Sequence, residues 1–257
     1  MRETRDRDLL ERLLRDPALG GPVWAGYALG DLDDAWFPRT RWLVADDEAA
    51  LVLVFRWGED GATALTFGDG PACADLLGAA DLPARFDLHV REVDAAAVAP
   101  RVQGALTPCL RLGLTRDALR PAPEVGLAAR PLAPGDGPAA RALYAHYPAN
   151  VFDPARLGDG AYLGAWDGER LVGVAGTHVA STRTRAAAIG DVVVHPDLRG
   201  RGVGAWLTAA HCARLLARVD LVVLNVARGN AAARRAYERV GFGAAVPYLE
   251  GAGVSLR

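Results

Sequence analysis

The stretch from Ala187 to Leu207, A-A-I-G-D-V-V-V-H-P-D-L-R-G-R-G-V-G-A-W-L, restricts the fold more than any other part of the chain. Ile189 to Val194 is mostly apolar and β-branched, the pattern of a covered strand. His195-Pro196-Asp197 ends it, because proline has no N–H to give to a ladder. Arg199, Gly200, Arg201, Gly202, Val203 and Gly204 follow, and Ala205 to Arg218 is an amphipathic run expected to be helical. The chemistry of such a loop is anion binding. The first N–H groups of a helix lack intrahelical partners and carry the positive end of its dipole. Glycines remove the Cβ atoms that would hold a diphosphate away, and two arginines add charge and forked donors. The same residues also suit a plain turn with two solvated arginines, and a lone Gly-x-Gly-x-Gly does not separate the two.

Two other phosphate loops fail on sequence. A nucleoside-triphosphatase loop needs Gly-Lys-Ser/Thr, and the chain has no lysine. A dinucleotide fold needs Gly-x-Gly-x-x-Gly after its first strand and an acid on its second. Gly200-Arg201-Gly202-Val203-Gly204 puts alanine at the third glycine and lies late in the chain.

Arg199-x-x-Gly202-x-Gly204 resembles the Arg/Gln-x-x-Gly-x-Gly/Ala signature of the GNAT acyltransferase superfamily, which grips the pyrophosphate of acetyl-CoA. Asn230-x-x-Ala233-x-x-x-Tyr237-x-x-x-Gly241-Phe242 resembles the last helix of that fold and the strand after it. The resemblance covers roughly residues 125 to 257. It implies an α/β fold with a mixed sheet in the C-terminal half, acetyl-CoA as acyl donor, an amine acceptor and no metal.

The chain is long enough, at 257 residues and 51% hydrophobic, for one large domain or two ordinary ones. A net charge of −2 gives no electrostatic case for nucleic acid or an acidic membrane surface. No apolar run spans a bilayer, and the charged start Met1-Arg-Glu-Thr-Arg lacks the apolar stretch of a secretory leader. Cys73, Cys109 and Cys212 show neither metal spacing nor a disulfide framework. The expectation is a cytoplasmic protein with buried free thiols, monomeric or homodimeric.

In the N-terminal half, helices are expected at Arg5–Asp16 and Pro22–Leu32, then strands at 41–46, 50–57 and 62–67. A helix at 71–80, a strand at 86–90, helical turns at 93–99 and a strand at 109–115 complete it. That order is roughly that of a GNAT half, but Gly68-Asp69-Gly70 puts an acid and no arginine where the anion loop would fall. The expectation is three segments: a degenerate GNAT-like domain over 1–115, a Pro-rich linker over 116–126 and an acetyl-CoA domain over 127–257. Trp24, Tyr27, Asp31, Asp33, Asp34 and Trp36 read either as part of a pocket for a cationic amine or as an amphipathic helix plus a turn.

In the C-terminal half, a strand is expected at 127–131, a helix at 134–147 and a hairpin of 161–166 with 170–180 around Asp167-Gly168. Val219–Val226 reads as a buried strand parallel to the central one, and Val254–Leu256 as a short final strand. By analogy with the superfamily, Tyr144, Tyr147, Phe152 and Asp153 shape the acceptor pocket. Backbone N–H groups of Val192, Val193 and Val194 bind pantetheine and the acyl oxygen. Asn225 either bonds pantetheine or satisfies freed backbone, and Asn230 caps its helix or touches CoA. Tyr237 holds the position of the general acid on the leaving thiolate. The superfamily's common glutamate base aligns near Ala188, which takes no proton. Asp191 is assigned as base, although strand alternation turns it to the opposite face from Ala188. His178, His195 and a water chain are the alternatives, and His178 is also a candidate substrate contact. The implied activity is N-acetylation of a small molecule. Protein acetylation and a non-catalytic CoA sensor are the competing readings.

Overall fold

A computed structural model describes residues 1–58, 61–148 and 150–254 of the chain. Its elements run β1 (Arg2–Glu3), α1 (Arg7–Arg15), α2 (Gly21–Gly30), β2 (Thr40–Val44), β3 (Ala50–Arg56) and β4 (Ala62–Gly68). Next come α3 (Gly70–Ala79), β5 (Arg85–Arg91), α4 (Ala95–Val98), β6 (Thr107–Thr115), β7 (Ala128–Pro131) and α5 (Gly137–Tyr144). The chain continues with β8 (Tyr162–Asp167), β9 (Arg170–Ser181), β10 (Ala186–Val194), α6 (Val203–Leu216), β11 (Leu221–Ala227), α7 (Ala231–Val240) and β12 (Gly243–Val254). The helix expected over 134–147 is shorter, because residues 134–136 form a separate 3₁₀ turn. Val254 ends the long strand β12, and the remainder of the short strand expected at 254–256 lies outside the described residues.

Among the described residues twelve strands form one mixed sheet in the order β1-β2-β3-β4-β5-β12-β6-β11-β10-β9-β8-β7. The middle of that order exchanges strands between the two halves of the sequence. β12 lies between β5 and β6, and β6 pairs with β11. Each half carries one parallel pair. In the N-terminal half β4 and β5 pair over Thr63–Leu65 and Asp87–His89. In the C-terminal half β10 and β11 pair over Ala186–Ile189 and Leu221–Leu224. Both pairs then part.

Local sequence explains the layers over the sheet. Asp6 starts α1 by accepting from the N–H groups of Asp8 and Leu9, and Leu10, Leu13 and Leu14 bury its apolar face. No charged residue occurs within α2, which fits a helix covered on all sides. It lies across the centre of the sheet, and two glycines four apart let it approach closely. A Cβ on Gly26 would lie 2.6 Å from the Val223 methyls of β11, and one on Gly30 would lie 2.4 Å from Val179 of β9. An N-terminal helix therefore roofs C-terminal strands. Helices α6 and α7 pack on the other face with Ala187, Ile189 and Leu224.

The candidate acetyl-CoA cleft and its acceptor side

Beyond Ile189 and Leu224, the facing edges of β10 and β11 no longer pair. The loop of residues 199–202 follows β10, with Gly200 and Gly202 in the left-handed region at φ of 78° and 86°. Gly202 starts α6 with no side-chain cap, so the helix's first N–H groups have no carboxylate or hydroxyl of their own. Arg199 is exposed, and its Nε donates to the Val194 carbonyl at 3.1 Å, which holds the guanidinium beside the loop. Nothing lies within 4 Å of a Cβ built on Gly200, and on Gly204 only Val194 comes near, at 3.6 Å. These groups fit a diphosphate: an uncapped helix start, an open glycine loop and exposed guanidinium groups. Arg201 is exposed as well, and Val203 is buried as the first residue of α6.

The corresponding places in the N-terminal half are filled by the protein itself. Past Leu65, side chains rather than the β5 backbone bond this edge of β4. Trp24 Nε1 donates to the Thr66 carbonyl at 2.8 Å and Arg91 donates to the Gly68 carbonyl at 2.8 Å. Asp69 caps α3 by accepting from the Ala72 N–H at 2.9 Å. A carboxylate thus sits where α6 has none.

Strand β10 contains an irregularity that overturns the alternation argument. Gly190 pairs with Gly176 of β9, but Val193 pairs with Val174, so β10 holds one extra residue. Asp191 has φ of +51° within it. Such a bulge inverts the parity of the strand beyond it. Ala188 packs toward α2, as does the side chain of Asp191, which meets His178 and the loop after α5. Asp191 therefore lies on the face of Ala188, not the opposite one. β9 bulges beside it: Ala188 pairs with Val179 and Ile189 with Thr177, leaving His178 as the extra residue.

The two bulges bring their extra residues together. His178 Nε2 lies 3.6 Å from Asp191 Oδ2, and the same oxygen accepts the Val151 N–H at 3.2 Å. Gly190 is required there, since a Cβ would meet His178 Nε2 at 2.2 Å. Tyr27 packs edge-on against the imidazole with ring centres 5.9 Å apart, and its hydroxyl lies 3.4 Å from the Ile189 carbonyl. Tyr144 donates to the Asp191 carbonyl at 3.0 Å and stacks on Phe152, which meets Tyr162. Tyr147 and Val151 are exposed beside this group. Burial raises the Asp191 carboxyl above its ordinary range, offset in part by His178, and lowers the His178 imidazole.

Among the described residues no hydrogen bond or ring contact joins the other proposed residues to this cluster, although Tyr237 interacts electrostatically with Tyr27 and Tyr147. Tyr237 lies on the opposite face, half-buried in the core of α6 and α7 and packed against Phe242 at 5.9 Å; burial raises its phenol. Asn230 caps α7, with Oδ1 accepting from the Ala233 N–H at 3.1 Å. Neither expected role describes the Asn225 side-chain oxygen. It accepts from Arg111 Nε of β6 at 2.9 Å. Arg111 is fully buried, also donates to the Trp24 carbonyl, lies 3.3 Å from His89 Nδ1 and sits against the rings of Trp24, Tyr27 and Tyr248. Nothing in the sequence marks this arginine, because the groups it joins come from four separate segments. His195 bonds Arg170 and the Asp197 N–H at the far end of β10, away from Asp191. Cys73, Cys109 and Cys212 are buried free thiols. Among the described residues no group of three or more His, Cys, Asp or Glu stands together as a metal site, and no helix is long and apolar enough to cross a membrane.

A parallel strand pair that parts next to an uncapped, glycine-rich helix start defines the GNAT type of acyltransferase fold. Residues 130–242 match the Acetyltransferase (GNAT) family. Over 99 residues, 37% of this chain, the sequence is 39% identical to a mycothiol acetyltransferase of Tsukamurella paurometabola; the match spans 34% of that protein, about a third of its length. Whole-chain likeness is seen in solved structures. A Drosophila protein superposes with a TM-score of 0.71 at 16% identity, over 98% of this chain and 97% of that one. A tandem GNAT protein from the clavulanic acid biosynthesis pathway superposes with a TM-score of 0.56 at 16% identity, over 96% of each chain. At such identities these structures establish the fold alone.

Proposed function

We propose that the protein transfers an acetyl group from acetyl-CoA to the amine of a small-molecule acceptor. The observation that carries this is the parted β10–β11 pair with the uncapped start of α6 at its mouth. In this reading the pyrophosphate lies on Arg199, Gly200, Arg201, Gly202, Val203 and Gly204. Pantetheine enters between the strands, where the edge of Val192–Val194 facing β11 has no strand partner. Asn225 shapes the cleft through its bond to Arg111 rather than as a free amide. The bases of β10 and β11 then separate two proton tasks onto two faces. Asp191, raised by burial, takes a proton from the acceptor nitrogen on the α2 side. Tyr237, whose phenol burial keeps protonated, gives one to the thiolate on the α7 side. Tyr27, Tyr147, Phe152 and His178 line the acceptor side. The roof formed by α2 favours a small molecule over a protein substrate, and the match to a mycothiol acetyltransferase supports acetylation as the reaction.

Calorimetric titration with acetyl-CoA, with adenosine nucleotides as controls, tests the cleft. One molecule should bind per chain, because Trp24, Arg91 and Asp69 occupy the N-terminal counterpart. Arg199→Glu should weaken binding at least tenfold, since a charge-assisted hydrogen bond is worth about 1.5–3 kcal/mol and is here replaced by repulsion. Unchanged affinity would remove the loop from the site. Release of CoA with a panel of primary amines then separates an enzyme from a sensor: binding without turnover on any amine favours the sensor.

A further inference from the structure

The general base in the reading above is a single carboxylate, but the structure does not leave Asp191 alone. Adjacent bulges on β9 and β10 each expel one residue from the ladder, and the two expelled residues are His178 and Asp191. Bulges re-aim side chains, and two facing bulges aim these at each other. The Nε2 atom of His178 is buried without a hydrogen-bond partner and points at Oδ2 of Asp191, 3.6 Å away. Glycine at 190 makes room for the ring. Arg156 holds the bulged backbone by donating to the carbonyls of Thr177 and His178 at 2.6 and 2.9 Å. So much local machinery for one buried, unpartnered nitrogen calls for a proton.

We propose that His178 is the positioning partner of Asp191, and that the two share the proton withdrawn from the acceptor nitrogen. This rests on the acetyltransferase reading. Before transfer the pair holds a neutral imidazole and a carboxylate. As the amine attacks the thioester, the N–H bond breaks and its proton lodges between Oδ2 and Nε2; the C–S bond breaks and the thiolate leaves with its electron pair, to be protonated by Tyr237. Once product departs, the shared proton returns to water past the partly exposed His178 ring, and the Tyr237 phenolate regains a proton from water, which restores the starting state. The groups facing the pair are Tyr27 from α2, Tyr144 from α5, Tyr147 from the loop after α5, Tyr162 from β8 and Arg156 from the turn before β8. Of these, Arg156 carries a positive charge, which opposes a second proton on the imidazole. Acetyl-CoA itself touches neither residue in this scheme, so its affinity is independent of the pair.

The test is steady-state kinetics on acetyl-CoA and the best amine of the panel, for His178→Gln, Asp191→Asn and the double variant. Asparagine tolerates the left-handed backbone at 191, so the fold should persist, checked by melting temperature and acetyl-CoA affinity. Each single variant should lower kcat at least tenfold without changing acetyl-CoA affinity. Each should also move the acidic limb of kcat/KM to lower pH, because either loss removes one of two sites that hold the proton. The double variant should be no slower than the worse single one. Unchanged kcat and an unmoved limb in His178→Gln, or losses that multiply, overturn the pairing. A second readout does not need turnover: NMR titration of the His178 imidazole should move to lower pH in Asp191→Asn, where the anion is gone. An unmoved titration overturns the pairing even if the protein proves to be a sensor, whereas a moved titration with no turnover on any amine fails the acetyltransferase reading instead.

Discussion

Tyr237 and Asp31 are both held protonated by burial, with different consequences. In the proposed reaction the Tyr237 phenol, kept protonated by burial, is the proton source. Tyr237→Phe should lower kcat about a hundredfold, the low end of general acid catalysis, and leave acetyl-CoA affinity nearly unchanged. Stopped-time CoA release against amine concentration checks it, and equal turnover would remove Tyr237 as acid. Asp31 is buried at the end of α2 and its carboxyl is pushed up to about 8, chiefly by burial and only partly relieved by Arg111. A folded-state value above the unfolded one means the folded state holds the proton more tightly. Its stabilising effect is full below about pH 4 and is lost as pH rises toward 8. Asp31→Asn should therefore raise the melting temperature more at pH 8 than at pH 5. At this scale the sequence was a partial guide. The glycine loop before α6 and the Asn230 cap of α7 were legible because a turn and a helix cap are local chemistry. The facing of Asp191, its contact with His178 and the Asn225–Arg111 bond were not, since a bulge is a matter of register between strands and Arg111 is 114 residues away.

Helix α2 shows how an element from one half serves the other. Its glycines trade helix propensity for approach: Gly26→Ala gains about 1 kcal/mol of propensity. The added methyl meets both Val223 methyls at 2.6 Å, and overpacking costs about 1–3 kcal/mol. The packing term should prevail, so Gly26→Ala should lower the melting temperature, and calorimetry of unfolding reads it directly. A rise would mean that β11 yields to the helix. Most element types and positions were readable from apolar periodicity and from turns such as Asp167-Gly168. The hairpin β8–β9 and the parallel strand β11 stand as expected. The roofing of β10 and β11 by α2 was not readable, because periodicity says that a helix is buried and not against what.

For the whole molecule, the exchange of β6 and β12 joins what the sequence divides into 1–115 and 127–257. A fragment of residues 116–257 lacks β5 and β6, and so leaves both edges of β12 and the outer edge of β11 unpaired. Unpaired long edges invite aggregation. Expressed alone, that fragment should be insoluble or unfolded by circular dichroism, and co-expression with residues 1–115 should restore a soluble complex. A folded, monomeric fragment would show that the C-terminal half is autonomous. The pattern of two halves was visible in the order of elements, but the exchange was not, since strand partners far apart in sequence leave no local trace. The same exchange sets a timetable during synthesis. At about 5–20 residues per second, β12 emerges roughly 8 to 30 seconds after β5, so the half made first waits unfinished for a strand made about 150 residues later. Through that interval β5 has an open edge, and the nascent chain depends on nothing else pairing with it first.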